Sequence, residues 1–141
     1  LQPRKARMGW GQLHEGKSVA GLPLTIGKDV YSDGIGTHAP GEVVYDRKPE
    51  WKRFVAVLGI DEAQRPQAQS SLAGTVVAED AAGRETVLAR SPVLRFGARE
   101  VWHFDVALPD DCATLRLVID DGGDGDKSDH ADWVEAGFIT R

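Results

Sequence analysis

An acidic stretch near the end of the chain carries the residue types best suited to chemistry. Residues 120–133 contain six aspartates, three glycines and one histidine, between two apolar segments that each look like a strand. Ordering such a stretch costs free energy, because like charges repel and glycine loses much backbone freedom on folding. The composition therefore favours a loop that holds a cation or a polar ligand.

The oxygen-bearing side chains of this stretch partly match the spacing of an EF-hand calcium loop. EF-hand ligand positions 1, 3, 5, 9 and 12 would fall on Asp124, Asp126, Ser128, Asp132 and Glu135. Two features oppose an EF-hand: the sixth position is Asp129 where glycine is needed for the sharp turn, and the flanks resemble strands instead of helices. A looser calcium site and a solvated acidic turn both remain open.

The stretch ends in His130, Ala131, Asp132 and Trp133, which have the chemistry of a sugar subsite. A carboxylate accepts hydrogen bonds from sugar hydroxyls, an imidazole donates or accepts them, and an aromatic face packs against the C–H side of a sugar ring. The alternative is that Trp133 begins the last strand and belongs to the core, with His130 bonded to backbone groups.

A second polar stretch covers residues 34–42 and contains three glycines, His38 and Glu42. Glycine permits positive φ and close backbone approach, so we expect a loop that carries His38 beside an Ala-Pro turn. The stretch lacks the Gly-Lys-Ser/Thr sequence of a phosphate-binding loop.

Catalytic, nucleic-acid-binding and membrane functions find little support. A net charge of −5 opposes a nucleic-acid binder, which needs a basic surface. No apolar run approaches the roughly 18 residues of a membrane span. There is no Gly-x-Ser-x-Gly elbow, the four histidines lack metalloprotease spacing, and Cys112 is the only cysteine. We therefore predict a domain that is not an enzyme.

The remaining sequence reads as short strands separated by turns. Residues 54–60 and 101–108 alternate between apolar and polar side chains, which is typical of half-buried strands. Further strands are predicted at residues 22–27, 42–46, 74–79, 86–90, 115–119 and 134–139. With no convincing helix, the pattern predicts an antiparallel β-sandwich or barrel. We expect residues 1–16 to be a partly ordered leader or linker and residues 17–141 to form one domain.

The two polar stretches lie in this order about ninety residues apart and resemble the NPCBM family, carbohydrate-binding module family 51. The resemblance rests on Gly-Ile-Gly-Thr-His-Ala at residues 34–39 and on Gly-Asp-Gly with Asp-His-Ala-Asp-Trp at residues 123–133. Residues 42–46, 51–54 and 59–61 add to it, and it covers roughly residues 19–139. It implies a galactose-binding-like jelly-roll β-sandwich that binds galactose-containing glycans without catalysis and often holds structural calcium.

Matched residue by residue, the resemblance implies a set of sugar contacts: His38, Asp132 and Trp133, with Glu42 and His130 as further candidates. Glu135, near the end of the last strand, takes the place where related sandwiches hold Ca²⁺, and Asp33 is its candidate partner. The chain departs from the family pattern at residues 63–71, which are longer than usual and rich in Gln.

The resemblance also implies a setting. Family members are appended to larger bacterial proteins, often glycoside hydrolases, outside the cell or in the periplasm. The alternative is a protein–protein interaction or structural domain that kept the fold and lost the sugar site.

Overall fold

The structure is a computed structural model that describes residues 24–26, 29–31, 34–38, 41–61, 71–122 and 130–140, and the backbone alone of 5–8 and 14–15. Its regular elements are all β-strands: β1 Lys5–Met8, β2 His14–Glu15, β3 Leu24–Ile26, β4 Asp29–Tyr31, β5 Gly34–His38, β6 Gly41–Asp46, β7 Arg53–Ile60, β8 Ser71–Asp80, β9 Glu85–Arg90, β10 Leu94–Arg95, β11 Val101–Ala107, β12 Cys112–Asp120 and β13 His130–Ile139. No helix in these ranges has the length and apolarity needed to cross a bilayer.

The strands form two main antiparallel sheets and one hairpin. Sheet A has the order β1-β6-β12-β8-β10, with β9 also paired to β8, and sheet B has the order β11-β7-β13-β5-β2. The hairpin pairs β3 with β4. The predicted antiparallel all-β architecture is confirmed.

The core lies between the two sheets and follows the two-residue period of the strands. Phe54, Leu58 and Ile60 of sheet B face Leu115 and Leu117 of sheet A, and all five side chains are 0–1% exposed. Burying a side chain of this size contributes about 1.5–3 kcal/mol relative to leaving it in water. The alternation noted in the sequence therefore marks the face of each strand that closes the sandwich.

The β3–β4 hairpin, called the cover hairpin below, packs on the other face of sheet B. Leu24 and Ile26 form a second apolar cluster with Val57 and Val134, separate from the main core. Glycine makes this close approach feasible, since a Cβ atom on Gly34 would lie 2.4 Å from the Trp133 carbonyl oxygen and 3.1 Å from Leu24 Cδ1. Sheet B is thus buried on both faces where the hairpin crosses it.

Two sequence expectations differ from the structure. Residues 34–38, expected as a loop, form strand β5, and residues 130–133, placed in the acidic loop, begin strand β13. Within residues 1–16, expected to be a partly ordered leader or linker, β1 and β2 pair with β6 and β5. The glycines of residues 34–38 favoured the prediction of a loop. In the structure they lie in a strand that another element approaches closely.

Candidate functional site

One end of sheet B brings together polar residues from three neighbouring strands. His130 and His38 are directly paired across β13 and β5, and the Asp61 backbone N–H donates to the His130 carbonyl oxygen at 3.0 Å. The two imidazole rings meet edge to face, with centroids 5.0 Å apart at 64°. Asp61, His130 and His38 therefore form one row across the outer face of the sheet, which we call the polar row.

Asp132 lies one step behind the polar row, on the same face. Its direct neighbours across the sheet are Gly59 and Gly36, which have no side chains to cover its carboxyl. The cover hairpin passes above, and the Thr25 N–H donates to Asp61 Oδ2 at 3.5 Å. The polar row and Asp132 thus sit at the edge of, and beneath, the cover hairpin.

The Asp132 carboxyl is enclosed. Its side chain is 0% exposed, and neither oxygen has a hydrogen-bond partner within the described part of the chain. Burial, followed by the proximity and negative charge of Asp61, raises the pKa of Asp132 to about 10, although the Thr25 N–H acts in the opposite direction. Asp132 is therefore neutral at physiological pH and cannot touch a ligand in this arrangement.

The histidines of the polar row are nearly buried but keep a small exposed edge, at 5% for His38 and 6% for His130. Burial and the neighbouring His38 lower the pKa of His130 to about 4, against an opposing effect of Asp61. A neutral imidazole carries one N–H donor and one nitrogen acceptor, the pair of functions that a sugar hydroxyl needs. The row is thus suited to a neutral, hydroxyl-rich ligand.

The prediction that Trp133 contacts a sugar is wrong for this arrangement. Trp133 lies on the inner face of β13, is 0% exposed, and packs against Phe104 with ring centroids 5.4 Å apart. Gly74 on the opposite sheet leaves room for the indole, since a Cβ there would lie 3.2 Å from the ring. The alternative interpretation of Trp133 as a core residue fits the structure.

Glu42 is likewise separated from His38, although the two residues are close in sequence. It lies on β6 in sheet A, where its carboxylate accepts from Arg116 Nη1 at 3.4 Å. Arg116 also pairs with Glu85, so Glu42 belongs to an ion-pair group on sheet A. The structure therefore does not bring Glu42 into the polar row.

The candidate calcium ligands are only partly described. Glu135 is exposed at a bulge in β13 and has a left-handed φ of 50°. Both Glu135 and Asp29 lie close enough to Tyr31 for their negative charges to act on it. Asp33 and the acidic residues at 123–129 lie outside the described residues. Ca²⁺ takes six to eight oxygen ligands, and no group of three acidic, His or Cys side chains in the described ranges could hold a metal. Calcium therefore stays a prediction.

The sequence reading gave Asp61 no role. It directly follows the apolar strand β7, is 1% exposed, and bonds through its backbone to His130. The available signal in the sequence was an aspartate directly after a strand that is almost entirely apolar. Burying an acidic side chain at such a place requires a partner.

Comparison with known proteins finds similar modules. An isolated CBM51 of Clostridium perfringens GH95, solved with methyl-galactose, is 27% identical with a TM-score of 0.83 and covers 99% of this chain and 95% of that chain. A structure of CBM51-2 in complex with GlcNAc, together with INT domains, from C. perfringens ZmpB is 26% identical with a TM-score of 0.87. The match covers 98% of this chain and 30% of that chain. The fold is the galactose-binding-like β-sandwich of these domains.

A curated relative is far longer than the chain. It is a predicted endo-alpha-N-acetylgalactosaminidase of Renibacterium salmoninarum, 26% identical over 140 residues, which cover 93% of this chain and 8% of that protein. A family model described as the NPCBM/NEW2 domain matches residues 1–139. The chain therefore belongs to the NPCBM/NEW2 domain family.

Proposed function

We propose that the domain is a non-catalytic carbohydrate-binding module that recognises galactose-containing glycans. The observation that carries the proposal is the likeness to the C. perfringens CBM51 solved with methyl-galactose. That match spans nearly the whole of both chains, so it compares one module with one module. The family membership of the chain supports the same conclusion.

The chemistry of the polar row supports a neutral sugar as ligand. His130 is uncharged at physiological pH because burial lowers its pKa to about 4, and it adjoins the ring of His38. Sugar hydroxyls both donate and accept, as neutral imidazoles do. We assign His38 and His130 as candidate contacts and Asp61 with Asp132 as the support behind them.

The burial of the two carboxyls supports binding without catalysis. Glycoside hydrolysis uses a pair of carboxyl groups that flank the glycosidic bond. Asp61 and Asp132 are 1% and 0% exposed, and the cover hairpin lies over them. A glycosidic bond could reach them only if the hairpin moved away.

The relatives support a role inside a larger protein. One solved C. perfringens ZmpB structure joins CBM51-1 and CBM51-2 to an M60 catalytic domain, and this chain covers 14% of it. We propose that the module holds such a larger bacterial protein on a glycan, outside the cell, at its surface or in the periplasm.

The test is titration of the purified domain with methyl-galactose and with GlcNAc, together with a glycan array. Each sugar hydrogen bond contributes about 0.5–1.5 kcal/mol, so His38→Ala and His130→Ala should each weaken binding roughly two- to tenfold. His103→Ala is the matched control, since His103 is exposed on β11 of the same sheet. An array without any hit, or an equal loss in the control, would contradict the proposal.

The second candidate is a protein–protein interaction or structural domain. It is favoured by the near-complete burial of His38 and His130. In that case the alanine variants would lower the melting temperature, and the wild-type domain would bind no glycan.

A further inference from the structure

The turn that leads into β11 carries a cation that contacts an aromatic ring instead of an acidic group. Arg99 is exposed, and its guanidinium lies over the face of Trp102, 5.3 Å from the ring centroid. Among the described residues, other arginines are engaged with oxygen atoms, carboxylates for Arg53, Arg84, Arg90 and Arg116 and backbone carbonyl oxygens for Arg47. A guanidinium that stacks on an aromatic face keeps its N–H donors available for an anionic ligand.

Backbone hydrogen bonds fix the turn that carries Arg99. The Arg95 N–H donates to the Arg99 carbonyl oxygen at 2.8 Å, and the Ala98 N–H donates to the Arg95 carbonyl oxygen at 3.3 Å. The Gly97 N–H donates to Glu100 Oε2 at 3.0 Å, and Gly97 has a left-handed φ of 78°, which glycine adopts without strain. Arg99 is thus presented from a closed turn, which reduces the entropy lost when its side chain binds a ligand.

The turn lies beside the polar row. The Ile60 N–H donates to the Glu100 carbonyl oxygen at 3.3 Å, and Asp61, the next residue, donates through its backbone to His130. Strands β11, β7 and β13 are neighbours in sheet B, so two strand spacings, about 10 Å, separate the backbone of the turn from His130. A glycan that places galactose on the polar row can therefore reach the turn with the next sugar unit or with a substituent.

We propose that Arg99 is a subsite for an acidic group of the glycan, a carboxylate or a sulfate ester, on galactose or on the sugar unit next to it. The inference rests on the proposed function, because it needs galactose bound at the polar row. A neutral imidazole suits a hydroxyl group, whereas the guanidinium fork suits the oxygens of an anion. The net charge of −5 repels any anion, so an acidic glycan needs a cation where its own charge lies.

The experiment is calorimetric titration of the domain with methyl-galactose, a sulfated galactose and a sialylated galactose at low and physiological salt. The wild type should bind at least one acidic ligand about three- to fivefold more tightly than methyl-galactose at low salt. The ligand that gains affinity distinguishes a sulfate from a carboxylate. In Arg99→Gln, which keeps most of the side chain without its charge, this preference should vanish while the affinity for methyl-galactose stays unchanged. Arg53→Gln is the matched control and should keep the preference, because Arg53 is already paired with Asp105 in the same sheet.

Equal affinity of the wild type for neutral and acidic ligands would overturn the proposal, as would a preference that survives in Arg99→Gln. Binding of methyl-galactose in the same titrations would leave the proposed function standing without the acidic subsite. If none of the three ligands binds, the proposed function and the subsite both fall. Should Arg99→Gln fail to fold, the salt series of the wild type decides. The preference must shrink as ionic strength rises, and a preference that is independent of salt refutes the charge contact.

Discussion

A methyl group added at Gly59 tests how closely the cover hairpin packs on sheet B. A Cβ atom there would lie 2.6 Å from Ile26 Cδ1, 2.7 Å from Cγ2 and 2.8 Å from Cγ1. Contacts this short do not persist, so Ile26 must leave its place beside Val57 and Val134. Overpacking of this kind costs about 1–3 kcal/mol, and the lower entropy of unfolded alanine returns about 0.4–1 kcal/mol. We expect Gly59→Ala to destabilise the domain by about 1–2 kcal/mol.

A second substitution isolates the contact. Ile26→Ala alone removes a buried side chain and should cost about 2–5 kcal/mol. In the double variant, the methyl group at position 59 occupies space that Ile26 has vacated and meets no clash. The two costs should therefore fall short of additivity by at least about 1 kcal/mol.

Urea denaturation of the wild type, the two single variants and the double variant gives these free energies of unfolding. Equal slopes of free energy against urea concentration would confirm that all four expose the same surface on unfolding. Gly137→Ala is the control, because Gly137 lies in the same sheet and a Cβ there meets nothing within 4 Å. It should change stability by no more than about 0.5 kcal/mol. Additive costs, or a Gly59→Ala variant as stable as Gly137→Ala, would refute the described packing of the hairpin.

The remaining predictions concern acid and metal. The folded pKa of His130 is about 4, below its unfolded value of about 6.5, so its contribution is complete above pH 6.5 and is lost as pH falls. Between pH 7 and pH 4 the wild type should lose about 3 kcal/mol more than His130→Gln in thermal or urea unfolding; parallel curves would contradict this. If Ca²⁺ binds at Glu135, a concentration 100 times its dissociation constant raises stability by about 2.7 kcal/mol. That gain should vanish with chelator and in Glu135→Gln, whereas a melting temperature unaffected by Ca²⁺ in the wild type would count against the metal.

The alternation of apolar and polar side chains was enough to predict most of the strands. The predicted strands at residues 42–46 and 101–108 correspond to β6 Gly41–Asp46 and β11 Val101–Ala107. Such strands are readable because burial on one face imposes a period of two on the side chains. The prediction failed at β5 Gly34–His38, because its glycines favour a loop on sequence grounds. In the structure these glycines make room for the cover hairpin on the outer face of the sheet. Nothing local in the sequence reveals a layer contributed by another segment.

The two sequence blocks also predicted that the segments carrying His38 and residues 130–133 meet, and the structure pairs these segments across adjacent strands. Only the tertiary structure decided which side chains share a face. Because successive residues of a strand point to opposite sides, the register that places His130 and Asp132 beneath the hairpin sends Trp133 into the core. The same pairing places Asp61, about seventy residues away in the chain, beside His130 at the end of strand β7. Sequence supplied the residue types, and strand pairing determined which of them meet.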